Sequence, residues 1–135
     1  MMYLLDTNIC IFALKGDKAV VENLQRADAR DLAVSTITLA ELWFGAKKCN
    51  HPVKVRKLQD AFLEPFAILD FNEAAAERYA EIRLRLEKRG MPIGERDQLI
   101  AAIALAHKRI LATNNLREFQ RISDLGVVDW KRPIA

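Results

Sequence analysis

Three carboxylates, Asp6, Glu41 and Asp97, stand at points where an apolar segment meets its neighbour, and neither Asp6 nor Glu41 has a basic residue beside it in sequence. Asp6 closes the apolar run Tyr3-Leu4-Leu5 and precedes Thr7-Asn8. Glu41 lies inside Ile37-Thr38-Leu39-Ala40-Glu41-Leu42-Trp43-Phe44, where a charge is costly to bury. Asp97 opens the apolar stretch 99–105. Carboxylates gathered from distant parts of a chain repel one another unless a proton or a divalent cation sits between them. With oxygen donors only, such a cluster selects a hard ion, Mg²⁺ or Mn²⁺. A hard ion can activate a water and stabilise a leaving oxygen in phosphodiester hydrolysis. In that scheme Asp6 and Asp97 ligate the ion, and Glu41 either binds a second ion or takes the proton of the attacking water. Thr7, Asn8, Thr113, Asn114 and Asn115 supply uncharged groups that orient waters or meet the phosphate.

Each acid also has an ordinary structural reading. Asp6 is suited to cap a helix beginning at Thr7. Glu41 follows Thr38 by three residues, the spacing of a capping box. Asp97 would sit in a first helical turn, where the macrodipole favours an acid. Sequence alone leaves both sets of readings open.

The elements that must position these groups alternate in period. Tyr3-Leu4-Leu5, residues 32–34, 66–69 and 109–113 read as short buried strands, with residues 127–129 as a fifth. Between them fall helical patterns over 9–14, 18–25, 36–48, 53–64, 73–88, 96–107 and 116–120. Ser35 or Thr36 caps the third of these, Pro65 ends the fourth, and Gly90 marks the end of the fifth. Strands alternating with helices predict a parallel sheet covered on both faces, with ligands at the carboxyl ends of its strands. Asp6 and the stretch after Ile110-Leu111-Ala112 both stand at such ends.

A chain of 135 residues that is half apolar has the length and composition of one folded domain, expected over residues 1–135. No run approaches the roughly 20 apolar residues of a membrane span. No cationic, then apolar, leader precedes Asp6, so the chain reads as cytoplasmic. Cys10 and Cys49 cannot build a disulfide framework, and with His51 and His107 they lack zinc-ligand spacing. The formal charge of +3 is compatible with a nucleic-acid partner. Lysines and arginines crowd two places, residues 47–57 and 83–89, either as solvated faces or as surfaces that track phosphates. The large apolar side chains Leu42, Trp43, Phe44, Leu58 and Phe62 exceed what a small domain readily covers, which predicts an isologous dimer.

The wording of the motifs resembles the PIN-domain ribonucleases. It runs Leu4-Leu5-Asp6-Thr7-Asn8, then Ile37-Thr38-Leu39-Ala40-Glu41-Leu42 with Gly45-Ala46, and then Pro92-Ile93-Gly94 ahead of Asp97 and Ile100-Ala101-Ala102. The closing Ala112-Thr113-Asn114-Asn115-Leu116-Arg117-Glu118-Phe119 is similar to that family's last active-site strand and helix. Within the family the chain looks most like the VapC toxins of bacterial type II toxin–antitoxin pairs. The resemblance implies a three-layer α/β/α sandwich on a five-stranded parallel sheet, acting as a homodimer. It implies Mg²⁺- or Mn²⁺-dependent endonucleolytic cleavage of RNA. It also implies inhibition by a cognate VapB-type antitoxin in a hetero-oligomer, and catalytic roles for Asp6, Glu41 and Asp97. Where many relatives carry a fourth acid this chain has Asn115, whose carbonyl can meet a metal or a water but carries no charge. Thr-Asn-Asn followed by Arg-Glu-Phe is similar to members that cut initiator tRNA in its anticodon stem-loop. Two other classes stay open: a PIN fold that represses translation by holding RNA uncut, and a phosphohydrolase with an aspartyl nucleophile after the first strand. The latter lacks a second acid at position 8 and a Gly-rich phosphate loop.

Overall fold

The computed structural model describes residues 1–132, so the last three positions of the expected 1–135 unit lie outside the described residues. Five strands form one parallel sheet: β1 (Tyr3–Leu5), β2 (Leu32–Ser35), β3 (Ala67–Leu69), β4 (Ile110–Thr113) and β5 (Val127–Asp129). Their order across the sheet is β3-β2-β1-β4-β5. The chain leaves β1 on one side toward β2 and returns on its other side as β4, which makes the carboxyl ends of β1 and β4 the switch point where such sheets bind ligands.

Successive side chains of a strand point to opposite faces, and here each face feeds its own core. Leu4, Ala33 and Leu111 pack with Ile82 and Leu86 of α5 (Glu73–Lys88), Ile100 and Ile103 of α6 (Glu95–Ala106), and Phe119 of α7 (Leu116–Phe119). Leu5, Val34 and Ala112 pack on the other side with Ile9 and Cys10 of α1 (Thr7–Leu14) and Val20 of α2 (Lys18–Arg26). Leu42 of α3 (Thr36–Lys48), Leu63 of α4 (Pro52–Leu63) and Trp130 complete that layer. The result is the expected α/β/α sandwich.

Most helix ends follow from local chemistry. Pro52 starts α4, where its missing N–H would have had no partner. Gly90, at φ +65°, ends α5: its N–H reaches Glu87 O at 3.1 Å and that of Met91 reaches Leu86 O at 3.0 Å, a Schellman closure that favours glycine. α6 closes in the same way but with Lys108 at φ 55°, a left-handed residue no glycine announces. A single 3-10 turn at Ala29–Asp31 before β2 also has no counterpart in the sequence reading. Asn23, fully enclosed, donates to the carbonyls of Trp130 at 2.9 Å and Arg132 at 3.0 Å and ties the segment after β5 to α2. Among the described residues no helix is long and apolar enough to cross a membrane.

Candidate active site

Asp6 follows β1 and its backbone N–H continues the β1–β4 ladder to Ala112 O at 3.0 Å, fixing the carboxylate at the switch point. Its Oδ1 accepts from the Ile9 N–H at 2.9 Å, so it does cap α1 as its sequence position allows. Its Oδ2 accepts a short hydrogen bond from the Thr113 hydroxyl at the end of β4. Thr113 Oγ1 in turn accepts the Asn115 N–H at 2.9 Å, which leaves its proton committed to Asp6. Capping and site chemistry are the work of two oxygens of one residue.

Glu41 sits one turn inside α3 and is reached by a second hydroxyl relay. Thr7 donates to Glu41 Oε1 at 2.7 Å, so the 3.0 Å contact between Thr7 and Thr38 must carry the proton of Thr38. Ser35 lies 3.3 Å behind Thr38 and accepts its N–H at 3.1 Å, capping α3. The capping box offered by Thr38 and Glu41 does not form, because Ser35 takes the N–H and Glu41 turns to Thr7 instead. The other oxygen of Glu41 pairs with Arg96 Nη1 at 3.1 Å, a guanidinium whose side chain is 72% exposed.

Asp97 lies half-buried in the first turn of α6. A further acid, Glu118, acts on Asp97. It belongs to α7, held in place by the completely buried Phe119. Burying a phenyl ring contributes roughly 1.5–3 kcal/mol, enough to fix the orientation of so short a helix. Asn115 precedes α7 without a side-chain capping bond. Asn8 and Asn114 are exposed, while Thr7 and Thr113 take part in the relays.

The four acids act on one another. Burial lifts the pKa of Asp6 to about 6; the Thr113 and Ile9 donors oppose the rise, and Asp97 and Glu41 add to it. Asp97 is raised by burial, then by Glu118 and Glu41, against the pull of Arg96. Among the described residues, no three Asp, Glu, His or Cys side chains are gathered tightly enough to form a ready-made ligand set. The carboxylates therefore share a field without closing on one point. Thr113, Thr7 and Arg96 hold the oxygens of Asp6 and Glu41. Four oxygen acids facing a single exposed arginine are short of positive charge, and that donor set suits a hard divalent ion. Cys10, wholly buried, has its thiol pushed far up by burial and offers no nucleophile.

Comparison with known proteins bears on this arrangement. The PIN domain model matches residues 3–125. The chain is 37% identical over 130 residues to the tRNA(fMet)-specific endonuclease VapC of Shigella flexneri, covering 96% of this chain and 98% of that protein. It is 39% identical over 134 residues to ribonuclease VapC2 of Rickettsia felis, covering 98% of this chain and all of the relative. Among solved structures it superimposes with a TM-score of 0.90, at 38% identity, on a chain of Rickettsia felis VapBC2 bound to a promoter DNA fragment, covering 96% and 99% of the two chains. VapBC-1 of nontypeable Haemophilus influenzae gives 0.88 at 35% identity, covering 98% of this chain and all of that one.

Proposed function

The chain belongs to the PIN-domain family, among the VapC ribonucleases, and on that premise we propose that it is a cytoplasmic toxin that cleaves RNA with Mg²⁺ held by Asp6, Asp97 and Glu41. Divalent-metal dependence is general to the family; Mg²⁺, with Mn²⁺ able to substitute, is the choice that all-oxygen donors favour. The bound ion supplies Lewis-acid stabilisation of charge developing on the phosphate. The chain's own groups do the rest. Thr113 holds the Asp6 carboxylate in one orientation, and Thr7 does the same for Glu41. Glu41, once released from Arg96, is placed to accept the proton of an attacking water. Asn8, Asn114 and Asn115 offer uncharged donors and acceptors toward the scissile strand. The single observation that carries this reading is the position of Asp6 at the switch point of the sheet, buried and within the fields of both Asp97 and Glu41.

The substrate class is tRNA, with initiator tRNA the first candidate because a relative sharing 37% of the sequence bears that specificity in its name. The partner is a VapB-type antitoxin, as in the complexes of the structural neighbours, and the toxin itself pairs as a homodimer. A fold that holds RNA uncut finds no support among relatives named as ribonucleases and endonucleases. The test is incubation of purified protein with total tRNA in Mg²⁺ or in EDTA, followed by mapping of the new ends. Discrete ends in Mg²⁺ and none in EDTA are expected; intact RNA retained by the protein in both would sink the proposal.

Arg96 gives a second, smaller test. Because its pair with Glu41 is largely exposed, it is worth at most about 1 kcal/mol. Arg96→Gln should lower the Mg²⁺ concentration for half-maximal thermal stabilisation by up to about fivefold. An unchanged or raised midpoint would show that Arg96 does not compete with the ion.

A further inference from the structure

We propose that a cavity walled by Arg89, Arg117 and Arg121 is a subsite for the RNA backbone beside the scissile phosphate. The inference rests on the ribonuclease reading above and assigns that substrate a second point of contact. The cavity has a volume of about 400 Å³, and Gln120, Ser123, Leu86 and the half-exposed Met91 complete its walls. That falls within the ~300–1,000 Å³ typical of ligand sites.

Charge singles out this place. The other arginines of α5 are neutralised: Arg78 by Glu81 and Asp124, Arg83 by Glu87, and Arg85 by Asp124. Among the described residues neither Arg89 nor Arg117 has a carboxylate partner, and both side chains are exposed. Arg121 gives one nitrogen to the Pro92 carbonyl at 2.9 Å and also has no carboxylate partner among the described residues. Unpaired guanidiniums lining one concavity, beside amide and hydroxyl groups, form a receptor for phosphodiester oxygens rather than for an apolar or cationic ligand.

Position ties the cavity to the acids. Arg117 immediately precedes Glu118 on α7. Arg121 grips the carbonyl of Pro92, two residues before Gly94, which caps the helix bearing Asp97. One wall of the cavity is thus α7, which carries Glu118, and Met91 and Arg121 border the loop that leads into α6, so a strand threaded past the acids meets it next. A larger concavity, about 670 Å³, sets Lys54 and Lys57 among Asn50, His51, Pro52, Val53 and Leu58, and lies at the far end of α3 from its start beside β2.

The proposal is tested by binding a short fluorescein-labelled RNA stem-loop in EDTA over a range of salt, so that no cleavage intervenes. The variants are Arg89→Gln/Arg117→Gln and, with the same loss of charge, Lys54→Gln/Lys57→Gln. Two phosphate contacts at roughly 0.7 each predict that the arginine pair flattens the slope of log affinity against log salt by about 1.4. By the same relation, affinity falls about ten- to thirtyfold at 0.1 M salt. The lysine pair should leave the slope unchanged. Melting curves check that both variants fold, as expected for exposed side chains. An unchanged slope for the arginine pair, an equal loss in both variants, or weakened capture of an acidic protein segment with RNA binding intact would each overturn the assignment. The subsite and the chemistry fail separately: loss of slope with no cleavage in Mg²⁺ would refute only the nuclease reading.

Discussion

Asp6→Asn is expected to lose at least roughly a thousandfold in Mg²⁺-dependent RNA cleavage, the several kcal/mol that a metal-held anion supplies, while becoming more stable than the parent protein in EDTA at pH 7. The second half follows from linkage. Burial places the folded-state pKa of Asp6 near 6, against 3.8 for the ordinary carboxyl. Between those values the folded protein binds more protons than the unfolded chain, so stability falls as pH rises from about 4 to about 6. At neutral pH the ionised carboxylate costs on the order of 2–3 kcal/mol, from about 1.4 per pKa unit. An asparagine removes that penalty and still caps α1 through its carbonyl. It also leaves the Thr113 proton without its acceptor, which costs about 1 kcal/mol, so the net gain is about 1–2 kcal/mol and several degrees in melting temperature. Added Mg²⁺ should stabilise the parent and not the variant. Melts across pH 4–8 in EDTA, with a cleavage assay in Mg²⁺, check both halves. A folded variant that cuts RNA at the parental rate would remove Asp6 from the chemistry. One that melts lower at pH 7 would show that its hydrogen bonds outweigh its burial.

The same tension explains what could be read from the chain. The five strands and the main helices were legible because short apolar runs alternate with helical stripes such as Ala75, Tyr79, Ile82 and Leu86. Asp6 was legible in both its roles, since the end of a central parallel strand is a switch point and also a helix start. What spacing left open was chemistry that depends on side-chain competition. Glu41 with Thr38 fits a capping box by spacing, yet Ser35 stands closer to the helix start and leaves Glu41 free for Thr7. The end of α6 carries Lys108 in the left-handed region, so no glycine marked it. Glu118 was read only as part of the closing Arg117-Glu118-Phe119 motif, since nothing in its spacing ties it to Asp97. Only the burial of the neighbouring Phe119 turns that helix so that Glu118 acts on Asp97. The convergence of Asp6, Glu41 and Asp97 was expected from the sequence, and the structure places Asp6 within the fields of the other two.

Glu118 therefore supplies the other large effect. Glu118→Gln is expected to reduce cleavage by about 10–100-fold, the range for a group that tunes a metal ligand rather than holding the metal alone, whereas Asn115→Ala should cost less than tenfold. Asn115 contributes its backbone N–H to Thr113, a bond alanine keeps, and its side chain makes no capping bond to α7. Glu118 contributes charge: after burial it is the largest influence raising the pKa of Asp97. Removing that charge lets Asp97 ionise at lower pH, so the acid limb of the cleavage profile should move downward in Glu118→Gln and stay in place in Asn115→Ala. The displaced limb separates an electrostatic role from simple damage to α7, since a loosened helix would lower the rate at every pH without moving the limb. If Glu118→Gln cuts normally while Asn115→Ala is crippled, the amide at 115 is the fourth member of the site. In that case the negative field around Asp97 is incidental to catalysis.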